Sequence, residues 1–84
     1  MTTDEIKTLI EAGIAGATAL VAGDDGVHFS AQVIAEVFKG LSPVKQHQLV
    51  YGTLGDRMHR DIHALSLQTY TPAQWEEAKK FRTL

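Results

Sequence analysis

Ile62-His63-Ala64-Leu65-Ser66-Leu67-Gln68-Thr69-Tyr70-Thr71-Pro72-Ala73-Gln74-Trp75 changes its period partway along. From Ile62 to Tyr70 the period is two, with His63, Leu65, Leu67 and Thr69 on one side and Ile62, Ala64, Ser66 and Gln68 on the other. That is the alternation of a half-buried strand. Thr71, Pro72 and Gln74 then supply helix-start chemistry. The helix they open carries Trp75, Ala78 and Phe81 inward, and Lys79, Lys80 and Arg82 near its C-terminal end, where the helix dipole favours cations. Upstream, Val27, Phe29, Ala31, Val33 and Ala35 alternate with His28, Ser30 and Gln32. This run follows a short strand, Thr18 to Ala22, and the turn residues Gly23, Asp24, Asp25 and Gly26, so the pair reads as a β-hairpin with one buried face. Between the hairpin and the third strand, Ser42 and Pro43 give an N-cap and a first-turn proline. A helix inserted between two strands permits a crossover, and a crossover predicts one parallel pair.

The remaining elements follow the same logic. Thr2 and Glu5 have capping-box spacing, and Ile6, Leu9, Ile10 and Ile14 recur at helical intervals. The first helix is therefore predicted from Thr3 to Gly13, with Gly13 and Gly16 closing it. Phe38, Lys39, Gly40 and Leu41 read as a connector. The second helix carries an apolar stripe of Val44, His47, Tyr51, Leu54 and Met58, weakened by Gly52 and Gly55, with a bend or break expected near Gly52. The order is αββαβα. A three-stranded sheet with helices laid on one face buries these stripes as a two-layer α/β sandwich of the α+β type.

With 84 residues the chain is long enough for one core and too short for two. Its formal charge of −2, 44% hydrophobic and 21% charged residues describe an ordinary globular chain with no overall attraction to phosphate backbones. Zero cysteines exclude disulfides, a CxxC redox site, a nucleophilic cysteine and any cluster held by this chain's own thiolates. The longest apolar stretch, Ile14 to Ala22, is broken by Gly16 and Thr18 and falls short of the roughly 20 residues a membrane helix needs. Acidic residues Asp4 and Glu5 stand where an export signal would be basic, so a cytoplasmic location is expected. No GxSxG, P-loop, GxGxxG or HExxH is present, and the chain is expected not to be an enzyme.

Four histidines carry the remaining chemistry. His47 lies in the second helix's stripe and reads as a hydrogen-bonded core residue. His59, between Arg57 and Arg60, reads as a surface residue. His59 and His63 have the spacing of a helical metal pair, but Asp61 and Ile62 mark a helix-to-strand boundary that turns the rings apart. His63 opens a strand at the edge of an apolar face, a position open equally to a structural and a ligating role. His28 follows the Asp24-Asp25-Gly26 turn. It reads first as a solvated strand residue beside turn-forming aspartates, and the alternative places His28 or Asp25 as a ligand at one end of the sheet.

Two GxxG sequences, Gly13 to Gly16 and Gly52 to Gly55, match the loop with which KH domains clamp a nucleic-acid backbone. The first reads as a helix end; the second falls where a KH loop would join two helices. Residues 1–42 hold 2 basic and 6 acidic groups and residues 43–84 hold 6 basic and 4 acidic. An anionic partner would therefore meet the second half, at Lys45, Gly52, Gly55, Arg57 and Arg60.

His63-Ala64-Leu65-Ser66-Leu67, then Thr69-Tyr70-Thr71-Pro72 and Trp75, closely resembles the signature of the BolA-like family. Val27-His28-Phe29, Phe38 to Ser42 and Val44 to Tyr51 are similar to further stretches of it, in the right order. The compact length and Gly-Asp turn look most like its IbaG-type branch. The resemblance implies one BolA-like domain over residues 1–84 with a class II KH-like αββαβα fold. It also implies partnership with a monothiol glutaredoxin through a bridging [2Fe-2S] cluster held by the glutaredoxin, glutathione and side chains of this chain. His63 is the implied ligand. The second, a Cys or His of the hairpin loop in the family, falls to Asp25 or His28. The isolated chain is expected to bind no cofactor and to be a monomer or weak dimer. Some family members are DNA-binding regulators, which makes weak nucleic-acid binding the alternative function.

Overall fold

In the computed structural model the described residues are 1–23, 25–56 and 64–82. Asp24, Arg57, Met58, His59, Arg60, Asp61, Ile62 and His63 lie outside them.

Helix α1 spans Thr3–Gly13. Its capping box is closed in both directions, with Thr2 Oγ1 accepting from the Glu5 amide and Glu5 Oε1 accepting from the Thr2 amide, each at 3.1 Å. Strands β1 (Thr18–Ala22) and β2 (His28–Ile34) form the antiparallel hairpin. A single 3-10 turn, Glu36–Phe38, leads to α2 (Pro43–Leu54), capped by Ser42. Strand β3 (Ala64–Tyr70) pairs with β2 in parallel, and α3 (Pro72–Arg82) follows. The sheet order is β1-β2-β3, so the crossover read from the sequence is present. Among the described residues no helix is long and apolar enough to cross a membrane.

Ile6 and Ile10 of α1, Ala19 of β1, Phe29 and Val33 of β2, and Val50 and Leu54 of α2 form the core, with Leu65 and Leu67 of β3 packed against it. Helices α1 and α2 therefore cover one sheet face. Ser30, Ser66 and Gln68 stay exposed on the other, and there Gln32 Nε2 donates to Gln68 Oε1 at 3.3 Å. Helix α3 rests on β3 through Trp75, half-buried, whose ring meets Tyr70 edge-on at 5.2 Å.

Two expectations need correction. The buried row of α2 is Gln46, Val50 and Leu54. Val44 and Tyr51 are 67% and 37% exposed, and His47 is half-buried, its ring edge-on to Tyr51. The stripe was displaced by about one residue because a glutamine occupies a core position and apolarity alone passes over it. Second, α2 runs through Gly52 without a break and ends at Gly55. The connector runs between β2 and α2 as expected, and its Phe38 is a fully buried core side chain.

Gln46 is held because every polar atom finds a partner. Its Nε2 donates to the carbonyls of Phe38 (3.1 Å) and Leu41 (2.9 Å), and its Oε1 accepts from the Thr69 hydroxyl at 2.6 Å. One side chain thus joins the connector, α2 and β3. On the opposite flank, Glu11 accepts from Lys7 Nζ (2.7 Å) and from the Ala19 amide (2.9 Å), fastening α1 to β1. The Lys7 hydrogen bond foremost, then the Ala19 amide, holds the Glu11 carboxyl below the ordinary glutamate range. Where α1 meets α2, a Cβ on Gly13 would stand 2.5 Å from the Thr53 methyl, so the two helices approach at a distance only glycine allows.

Gln46→Met keeps the volume and removes the bonds. It is expected to cost about 1–3 kcal/mol per stranded partner, read by urea denaturation, with Thr69→Val non-additive to it. Gly13→Ala is expected to lower stability by about 1–3 kcal/mol through overpacking against Thr53; an unchanged denaturation midpoint would contradict the close approach.

Candidate functional site

The parallel register sets the site. Ala64 pairs with His28, Leu65 with Phe29 and Ser66 with Ser30. His63, which precedes Ala64 in the chain, lies outside the described residues, and Ala64 itself opens β3 beside His28. The end of the sheet at which β2 and β3 begin is therefore the end that carries His28.

The turn before His28 is organised by one carboxylate. Asp25 Oδ1 accepts from the amides of Val27 (3.0 Å) and His28 (2.8 Å), and Oδ2 lies 2.7 Å from His28 Nδ1. The first pair is turn chemistry. The third contact ties the ring down, although both side chains remain largely exposed. The His28 amide foremost, then the Val27 amide and the His28 ring, hold the Asp25 carboxyl well below the ordinary aspartate range. An ionised carboxylate accepts and does not donate, so Nδ1 carries the shared proton and the other ring nitrogen, Nε2, is left without one in the neutral ring.

Gly23 closes the turn from the other side. A Cβ there would stand 2.7 Å from the Phe29 ring and 2.8 Å from the His28 carbonyl. The absence of a side chain lets the hairpin pull in under Phe29. Ala22, Gly23, His28, Phe29 and Ser30 line an open depression of about 540 Å³ at this end. Among the described residues no three His, Asp or Glu groups converge as a metal cage.

Two features of this end were not read from the sequence. The sequence reading weighs His28 and Asp25 as turn residue and ligand separately and misses the contact between them, although the Asp-x-x-His spacing can carry the ring back onto the carboxylate. The need for glycine at position 23 had no signal beyond its place in a turn.

The second GxxG lies at the C-terminal end of α2. Gly52, Thr53 and Leu54 are the last residues of α2, and Gly55, at φ 55°, caps it with its amide bonded to the Tyr51 carbonyl. Leu54 is fully buried, and the Thr53 hydroxyl donates to the Val50 carbonyl at 2.6 Å. Lys45 is exposed. Gly52 stands seven residues further along the helix, which at about 3.6 residues per turn returns to the same face. Arg57 and Arg60 lie outside the described residues.

Because the Asp25 carboxyl is depressed below 3.8, its contribution to stability is present above that value and lost as pH falls through it toward the folded value. The Asp25 carboxyl carbon, followed by NMR, is expected to titrate below 3.8 with the Val27 and His28 amide shifts moving in step. A midpoint at or above 3.8 would sink the bonding scheme.

The family model described as BolA-like protein matches residues 11–74. The acid stress protein IbaG of Escherichia coli (strain K12) is 37% identical over 81 residues, 95% of each chain. The DNA-binding transcriptional regulator BolA of Vibrio cholerae is 46% identical over 50 residues, 60% of this chain and 47% of that protein. The chain spans about two fifths of the length of the mammalian BolA-like protein 1 relatives it matches. Among solved structures, a bolA protein homologue from Coxiella burnetii superposes with a TM-score of 0.81 at 45% identity, over 90% of this chain and 97% of that one. With its fold shared and most of its length matched, this chain belongs to the BolA-like family.

Proposed function

We propose that this chain is a binding partner and not an enzyme, meeting a monothiol glutaredoxin and sharing with it a bridging [2Fe-2S] cluster as cargo, for cluster trafficking or iron homeostasis. The observation that carries the reading is the pairing of His28 with Ala64. It sets His28 beside the start of β3, which His63 immediately precedes in the chain. Cysteine is absent from the sequence, so thiolate ligands come from the glutaredoxin and glutathione. An imidazole replacing a thiolate on one iron lowers the negative charge on the cluster and raises its reduction potential. It also makes ligation sensitive to protonation. Those are properties of a cluster held loosely enough to be passed on.

Nucleic-acid binding is the second reading, favoured by the name of the Vibrio relative, a DNA-binding transcriptional regulator, and by the exposed helix face carrying Lys45 and Gly52. Against it stand the net charge of −2 and the helical setting of Gly52 to Leu54, whose amides are committed to backbone carbonyls. Binding of this kind would be weak and would fall steeply with salt.

The isolated chain is expected to be colourless and monomeric or weakly dimeric. Mixed with a monothiol glutaredoxin, glutathione and an iron-sulfur source, it is expected to give a visible absorption and dichroism spectrum distinct from that of the glutaredoxin alone. His63→Ala is expected to abolish or reshape that spectrum, whereas His47→Ala leaves it intact. A His63→Ala complex with unchanged spectrum and transfer rate would overturn the ligand, and nanomolar sequence-specific DNA binding at physiological salt would put the second reading first.

A further inference from the structure

We propose that Asp25 is a positioning residue, not a ligand: it fixes the His28 ring so that Nε2 is the nitrogen offered to the shared cluster. The assignment rests on the glutaredoxin-partner reading above and divides between two residues a ligand role that the sequence left open.

Asp25 is already committed. Two backbone amides and the His28 ring occupy its two oxygens, at 3.0, 2.8 and 2.7 Å. Turning Oδ1 to an iron would break the turn that places His28, and turning Oδ2 would release the ring. Among the described residues the imidazole has one nitrogen, Nδ1, engaged, and no such contact at Nε2. A ring hydrogen-bonded to a carboxylate through one nitrogen and ligating through the other is the arrangement by which proteins fix the tautomer and orientation of a metal-binding histidine and raise its basicity.

The backbone gives this dyad its direction. His28 begins β2, so its main chain is fixed by pairing with Ala64 while its side chain stands on the exposed face. The turn, closed by Gly23 against Phe29, sets Asp25 Oδ2 2.7 Å from the ring's Nδ1. Ring orientation is thus set from two directions without a buried contact.

Asp25→Asn separates positioning from turn formation. The Asn carbonyl oxygen can still accept from the Val27 and His28 amides, but its NH2 donates. Facing Nδ1 with a donor drives the ring proton to Nε2 and removes the lone pair a metal needs, the same tautomer inversion that such a change produces in a catalytic triad.

The test has two parts. Nitrogen-resolved NMR of the apo chain, at a pH where the ring is neutral, is expected to show the Nδ1–H form of His28 in the wild type and the Nε2–H form in Asp25→Asn. A wild-type ring mainly in the Nε2–H form overturns the positioning role. In the complex with glutaredoxin and glutathione, Asp25→Asn is expected to speed cluster loss to a chelator by about 10-fold, and His28→Ala to change the spectrum outright. Amide spectra of each variant report whether the fold is kept. A spectrum changed by Asp25→Ala but not by His28→Ala makes Asp25 the ligand and overturns the proposal. If His63→Ala alters the spectrum while His28→Ala and Asp25→Asn do not, the proposal falls and the glutaredoxin reading stands. If the wild-type chain forms no coloured complex, that reading fails and takes the ligand role of His28 with it.

Discussion

Two parallel strands cannot be joined by a tight turn, and the pairing of β2 with β3 governs most of what this chain does with its residues. The crossover must leave the end of β2 and return to the start of β3, and α2 makes most of that journey. Since side chains alternate along both strands, a slip of one residue would bring Ser66 and Gln68 to the helices and expose Leu65 and Leu67. The core therefore fixes the register. The register in turn fixes which residue stands beside His28.

Polar contacts reinforce that arrangement where apolar packing is thin. Gln46 satisfies two carbonyls of the connector and the hydroxyl of Thr69, so α2 is docked on β3 by hydrogen bonds as well as by Val50 and Leu54. A buried amide with every atom partnered specifies one geometry, because any shift leaves a group unpaired in a poorly solvated place. Lys7 and Glu11 act similarly at the α1–β1 flank, though in contact with solvent. Helix α3 meets β3 through the edge-on contact of Trp75 with Tyr70.

Element order, the hairpin, the capping box of α1 and the parallel crossover were all legible in the residues, because each rests on periodicity or on local turn and cap chemistry. The face of α2 was not. Its buried row contains Gln46, and a polar residue in the core is recognisable only once its partners, contributed by Phe38, Leu41 and Thr69, are in place. Gly13 and Gly23 look like ordinary helix-end and turn glycines, while the reason for each is a neighbour distant in the chain or across the hairpin. At the candidate site the sequence supplied the residues, His28 and Asp25, but not their relation. That relation depends on which way a short turn folds a ring back, and spacing does not encode it.

The separation along the chain between the two sides of the β2–β3 ladder also bears on the order of assembly. Gln32 and Gln68 face one another across 36 residues of sequence, whereas the hairpin and the Asp25 turn close over a handful. Loop-closure entropy is larger for the distant pair. The hairpin side, with its ring and carboxylate, is made of contacts available early to a growing chain, and β3 reaches it only after the crossover has been synthesised. One half of the candidate site is thus local in origin and the other is delivered by global folding, so agents that loosen tertiary structure would dissociate the two halves before they disturb the turn.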